Sequence, residues 1–183
     1  MDEIVKHLEA PEVGTKVSAR QVLSWMGSDD IDTLGATYVF LSNAACVRNV
    51  DPALSFEQVF NFIQGYYVQC LRKDPDSKWA NSRYSAGWDL VRWFVSMWDD
   101  RRESKYFGLI KSSLAELYRE ESPELRSCIE VAIIEHLFER EAIRKFFEDW
   151  RDDPELGKAY DAGTLWVEGG GTRPLSEKRP PHN

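Results

Sequence analysis

The sequence predicts an all-α fold: a single-domain, multi-helix bundle of antiparallel helical hairpins, with a degenerate HEAT-like array as its extended variant. Three observations carry this. The densest apolar periodicity lies in Ile129–Trp150, IEVAIIEHLFEREAIRKFFEDW. Ile129, Ala132, Ile133, His136 and Leu137 recur at i, i+3, i+4, i+7 and i+8, and Ile143, Phe146, Phe147 and Trp150 repeat the pattern. Such spacing is that of helices pressed on a core, and neither half alternates as a strand would. Helix-start chemistry also recurs ahead of apolar rows, at Ser18, at Ser55 with Gln58, at Ser122-Pro123-Glu124 and at Asp153-Pro154-Glu155. From Phe56 onward, short links join long helices, which favours antiparallel neighbours.

In chain order, residues 1–16 read as a short helix followed by a turn at Pro11 and Gly14. Ser18 caps a helix holding Val22, Leu23 and Met26, which Gly27 stops. Asp29, Asp30 and Asp32 suit the positive end of the next helix, which carries Leu34, Tyr38, Leu41 and Ala45 and ends at Asp51-Pro52. YVFL has strand-like composition, but the SNAAC that follows favours helix. Phe56, Val59, Phe60, Ile63, Tyr67, Cys70 and Leu71 give one long apolar face. After a turn at 73–77, a helix from about Trp79 to Trp98 is expected, with Trp79, Tyr84, Trp88, Val91, Phe94, Val95 and Trp98 inward. Phe107, Ile110, Leu114, Leu117 and Tyr118 mark another. The helical domain is expected over 1–167. Residues 168–183, EGGGTRPLSEKRPPHN, have almost no apolar content and read as a disordered tail.

Composition narrows the function classes. The formal net charge of -8 argues against a nucleic-acid backbone and an anionic membrane as partners, since both select basic surfaces. It suits a basic protein instead. Between Asp99 and Glu155 sixteen Asp/Glu face ten Lys/Arg, so six of the eight net negative charges fall in this segment. Cys46, Cys70 and Cys128 are odd in number, widely spaced and set in apolar stretches, which reads as free buried thiols in a reducing compartment. MDEIVKHLEA is charged and amphipathic, unlike a signal peptide, and no apolar run reaches the roughly 20 residues that span a bilayer. A cytoplasmic protein is expected.

No catalytic signature stands out. Glu135, His136 and Glu139 could start a metal site, since His136 and Glu139 share a helix face, but there is no HExxH and the other histidines, His7 and His182, sit at the two ends. The carboxylate pairs read as caps and solvated faces, not as a converging acid and base. Gly169–Gly171 lacks the Lys-Ser/Thr and the helix of a phosphate loop. Neither a cofactor nor a metal is expected. Trp93, beside Arg92 and off the main Trp row, would serve as an interface anchor.

KWANSRYSAGWDLVRWF, LIKSSLAELYREESPELRSCIEVAIIEHLFE and FFEDWRDDPELGKAYDAGTLW together resemble helical families, immunity-type or uncharacterised, of bacterial polymorphic-toxin loci. The distinguishing run is Leu125-Arg126-x-Cys128-Ile129 through Glu135-His136-Leu137, followed by Trp150, Asp153-Pro154, Leu156 and Ala159-Tyr160. The resemblance covers residues 35–167 and implies a non-enzymatic antitoxin that binds and blocks a cognate bacterial toxin. It supplies no active site to carry over. The expected contact patch comprises Trp93, Asp99, Asp100, Glu120, Glu121, Glu139, Asp149, Asp152 and Asp153. The alternatives are a helical scaffold or adaptor and, after it, a metal-dependent enzyme built on Glu135, His136 and Glu139.

Overall fold

Side chains that capture backbone N–H groups set where most of the helices begin. The computed structural model describes residues 1–9, 16–120 and 122–170, and the fold is all-α. Strand among the described residues is limited to β1 (Val17–Ser18) and β2 (Val50–Asp51), paired in parallel with Val17 opposite Val50. None of the described helices is long and apolar enough to cross a membrane. The chain divides into two compact units, Met1–Asp89 and Leu90–Asn183. Of the expected tail, residues 171–183 lie outside the described residues, as do 10–15 and Glu121.

In the first unit, α1 (Asp2–Glu9), α2 (Ala19–Met26), α4 (Ala44–Arg48) and α5 (Phe56–Lys73) all pack on α3 (Ile31–Ser42). The caps at Ser18 and Ser55 are those the residues predict, and Asp30, expected as an acidic residue at the positive helix end, is a cap as well. Ser18 accepts from the Gln21 N–H, and Asp30 accepts from both the N–H and the hydroxyl of Thr33 at 3.0 and 2.6 Å. Ser55 and Gln58 form a reciprocal box: the Gln58 N–H donates to Ser55 Oγ, and the Ser55 N–H to Gln58 Oε1. Each such cap contributes about 1 kcal/mol. The apolar face of α5 buries Phe60, Ile63, Tyr67, Cys70 and Leu71 as expected, with Phe62 and Tyr66 beside them. Burial pushes the Cys70 thiol up to about 11, and all three cysteines are free and buried.

The helix expected from Trp79 begins later, as α6 (Arg83–Asp99). The cause lies in residues 77–80, which form a strap over α3. The Ser77 hydroxyl donates to Asp32, and Ser77 Oγ accepts from the N–H groups of Trp79 and Ala80 at 3.1 and 2.8 Å. Trp79 is therefore held outside the helix. Asp74 then binds the Arg83 N–H at 2.8 Å. The buried face of α6 is Ala86, Leu90, Val91, Phe94 and Met97, whereas Tyr84 and Trp88 are 45% and 43% exposed. Val91 and Phe94 match the expected row. Tyr84 and Trp88 do not, because the helix turns its small residues, Ala86 and Gly87, inward at that level.

The second unit contains the end of α6, α7 (Ser104–Arg119), α8 (Pro123–Cys128), a π-helical turn Ile129–Ile134, α9 (Glu135–Phe138), α10 (Glu141–Phe146), a 3-10 segment Glu148–Asp152 and α11 (Leu156–Glu168). Ser122 caps α8 through the Leu125 N–H, with Pro123 in the first turn. The stretch with the densest periodicity is indeed core: Ile129, Ala132, Ile133, Leu137, Phe138, Ile143, Phe147 and Trp150 are all buried. Periodicity alone misses one feature of it. The wide π turn brings Ile133 and the adjacent Ile134 both inside. An aromatic cluster closes the unit, with Phe94–Phe107, Phe147–Trp150 and Phe138–Tyr160 centroids 5.1, 4.9 and 5.0 Å apart.

Candidate partner-binding face

The expected contact patch falls on the second unit, and its residues sit in distinct environments. Asp99 ends α6 and accepts from Arg140 at 2.5 Å, which brings it to the turn holding Glu139. Glu139 lies 2.8 Å from His136 Nδ1. Asp149, on the 3-10 segment, pairs with Lys111 of α7. Asp153 pairs with Arg119 of α7 at 2.6 Å, which places it near Glu120 at the end of that helix. Asp100 and Asp152 are exposed, and their side chains have no partner among the described residues. Trp93 is half-buried on α6. Glu121 lies outside the described residues. The patch is thus drawn into two groups, one around Arg140 and one where the 3-10 segment meets α7.

Pairing does not cancel these charges as seen from solvent, because several pairs are lopsided. The Lys111 side chain is 14% exposed and its partner Asp149 is 71% exposed. His136 and Glu139 are 17% and 57% exposed. Arg126 and Glu155, joined at 3.2 Å, are 30% and 48% exposed. In each of these the basic side chain is the inner member and the carboxylate faces outward. Arg140–Asp99, Lys105–Glu103 and Arg151–Glu148 are nearly even, and Arg119–Asp153 inverts the order. The outward carboxylates, with exposed Asp100 and Asp152, add to the negative charge that this unit shows solvent.

Lys111 explains how a cation comes to lie inside. Its ammonium donates to the Phe146 carbonyl at 2.8 Å, pairs with Asp149, and lies over the Phe146 and Phe147 rings at 4.8 and 5.4 Å. These contacts tie the end of α10 to α7. Lys111→Met keeps most of the stem and strands the carbonyl, so it is expected to lower unfolding stability by about 2 kcal/mol. Asp149→Asn, which removes an exposed charge, is expected to cost less than about 1 kcal/mol. Urea denaturation of the two variants checks the contrast; equal losses would assign the stabilisation to the ion pair and not to the carbonyl.

α11 starts at Leu156, later than the Asp153-Pro154-Glu155 motif predicts, and Asp153 caps the turn just before it. Its Oδ1 accepts from the Leu156 and Glu155 N–H groups at 3.0 and 2.9 Å, and Arg119 holds Oδ2. The Leu156 N–H first, then Arg119, hold this carboxyl below the usual 3.8. A depressed folded pKa stabilises above the unfolded value, and the stabilisation is lost as pH falls through the folded one. Asp153→Asn is therefore expected to lower Tm at neutral pH, and the gap to the parent should narrow as pH falls below 3.8. Thermal melts from pH 7 downward measure it.

A groove of about 440 Å³ opens beside these pairs. Gly108, Ala115 and Ser112 of α7 line it with Phe146, Trp150 and Leu156, and Lys111, Arg119, Asp149 and Asp153 stand around it. A second, of about 370 Å³, is lined by α10 and α11 and mixes Arg144, Lys145 and Arg151 with Glu141, Glu148 and Asp161. The helical His136–Glu139 contact exists, but among the described residues no three His, Cys, Asp or Glu side chains are placed to hold a metal ion. Glu135, the third member of that idea, is buried.

Sequence reasoning found the anions and missed their cations. For Lys111 a signal was present, because it stands on the Phe107–Leu114–Tyr118 row at i, i+4, i+7 and i+11, where a charge is out of place unless partnered. Nothing in the sequence marked the groove. Comparison of the chain with protein-family models, with curated proteins and with solved structures gave no match.

Proposed function

We propose that the second unit binds a basic partner protein through its acidic exterior, and that the chain is an immunity-type protein that neutralises a cognate toxin. The observation that supports this most is the lopsidedness of two ion pairs: Lys111 and Arg126 are the inner members while Asp149 and Glu155 face solvent. A surface built this way attracts a basic partner at a distance and offers its carboxylates on contact, raising the association rate in a salt-dependent manner. Internal cations also hold the anions in place before binding, so little side-chain freedom is lost in the complex. The toxin class comes from the resemblance of residues 35–167, and the basic sign of the partner from the outward carboxylates.

The experiment is capture by the tagged chain from lysate of its own source, identification by mass spectrometry, and co-expression with each captured protein. A basic protein whose toxicity the chain suppresses is the expected result. A captured set without basic proteins, or a basic partner whose toxicity is unaffected, would overturn the reading.

A further inference from the structure

We infer that the groove between α7 and the 146–156 segment is the anchor point for an arginine side chain of that basic partner. This rests on the acidic-face reading above and adds where its specificity lies. The first ground is unused acceptor capacity. Asp153 is occupied at both oxygens, by Arg119 on one and by the Leu156 and Glu155 N–H groups on the other. Asp149 engages Lys111 through Oδ1, and its Oδ2 accepts nothing among the described residues. One carboxylate oxygen thus remains at the rim, on a side chain 71% exposed.

The second ground is the lining. Half-buried Phe146, with the small exposed edges of Ala115, Trp150 and Leu156, gives the groove an apolar strip that suits an occupant with an apolar body as well as a donor. Arginine has both: its methylene stem covers apolar surface, its guanidinium lies on aromatic faces, and its fork fits a carboxylate. Lysine is a poorer match, being a compact and strongly hydrated charge. An acidic side chain would meet Asp149, while the Arg119 guanidinium is taken up by Asp153 and the Lys111 ammonium is turned inward to the Phe146 carbonyl and two rings.

Gly108 makes the test clean. It lines the groove, and a Cβ built there meets nothing within 4 Å. Gly108→Leu should therefore fill the groove without disturbing the packing, in a helix where leucine is the better former. The probes are hexa-arginine, hexa-lysine and hexa-glutamate peptides, titrated at low salt into the full-length, nitrogen-15-labelled chain and read by NMR. Hexa-arginine is expected to shift the Trp150 indole and Ala115 amide signals. Gly108→Leu and Asp149→Asn should each weaken this about tenfold, and hexa-lysine should bind more weakly than hexa-arginine. Unchanged binding in Gly108→Leu, with its melting temperature intact, would overturn the anchor. So would hexa-arginine shifts confined to the Asp99–Glu139 region, which would leave the acidic-face reading standing. No binding of either basic peptide would count against both. Shifts of the groove signals by hexa-glutamate would make the groove an anion site and refute the arginine assignment.

Discussion

Gly163→Leu is expected to abolish cooperative folding of the second unit. Gly163 of α11 faces the π turn and α9 at a distance that admits no side chain: a Cβ there would stand 2.7 Å from both Ile134 Cγ2 and Phe138 Cδ2. Ile134 and Phe138 are themselves fully buried, so neither can swing away. Overpacking a dense core costs about 1–3 kcal/mol for small additions, and Gly163→Ala should fall at the upper end of that range. A leucine adds three further carbons in the same direction. With domain stabilities of about 5–15 kcal/mol, that addition is enough to separate α11 from the turn. Circular dichroism melts of the two variants test this, with Gly108→Ala as the control in open space. A Gly163→Ala protein as stable as its parent would refute the close approach.

Gly35→Ala is the second large effect, and it acts on the first unit. A Cβ at Gly35 would lie 2.4 Å from the Trp79 carbonyl oxygen and 2.6 Å from the Ala80 nitrogen. These are backbone atoms of a strap held by Ser77 and Asp32, so no rotamer change relieves the clash. The strap must lift or α3 must shift, and the expected loss is about 3 kcal/mol. Lifting also frees the N–H groups of Trp79 and Ala80 that Ser77 satisfies. Ser77→Ala should therefore reproduce part of the loss without a clash. Urea midpoints followed by tryptophan fluorescence compare the two. If Ser77→Ala costs nothing while Gly35→Ala is severe, the strap is held by packing alone.

Much of the fold was legible in the sequence because its signals are local. A cap needs only a few consecutive residues, and Ser18, Ser55 with Gln58 and Ser122 each appear where the spacing puts them, while Asp153 caps the turn ahead of α11. The core of the second unit was legible because Ile129–Trp150 buries its apolar rows. What could not be read depends on distant residues. The start of α6 is set by Asp32, more than forty positions upstream of Ser77, so the inward face was placed wrongly at Tyr84 and Trp88. The π turn packs closely on α11, where Gly163 leaves room for Ile134 and Phe138. The candidate face follows the same logic. Its carboxylates could be counted, but whether a pair shows solvent its anion or its cation depends on which partner the fold draws inside. Lys111 is inside because the Phe146 carbonyl and two aromatic rings receive it.

The most direct measurement is the affinity of the chain for its captured basic partner, taken against a variant in which Asp100→Lys and Asp152→Lys are combined. Neither side chain has a partner among the described residues, so reversal changes the exterior and leaves the internal pairs in place. The account predicts a loss of at least about tenfold, carried mainly by the association rate and shrinking as salt is added. An unchanged affinity, at low salt and with the variant's melting temperature intact, would contradict it and move the contact surface off the acidic exterior of the second unit.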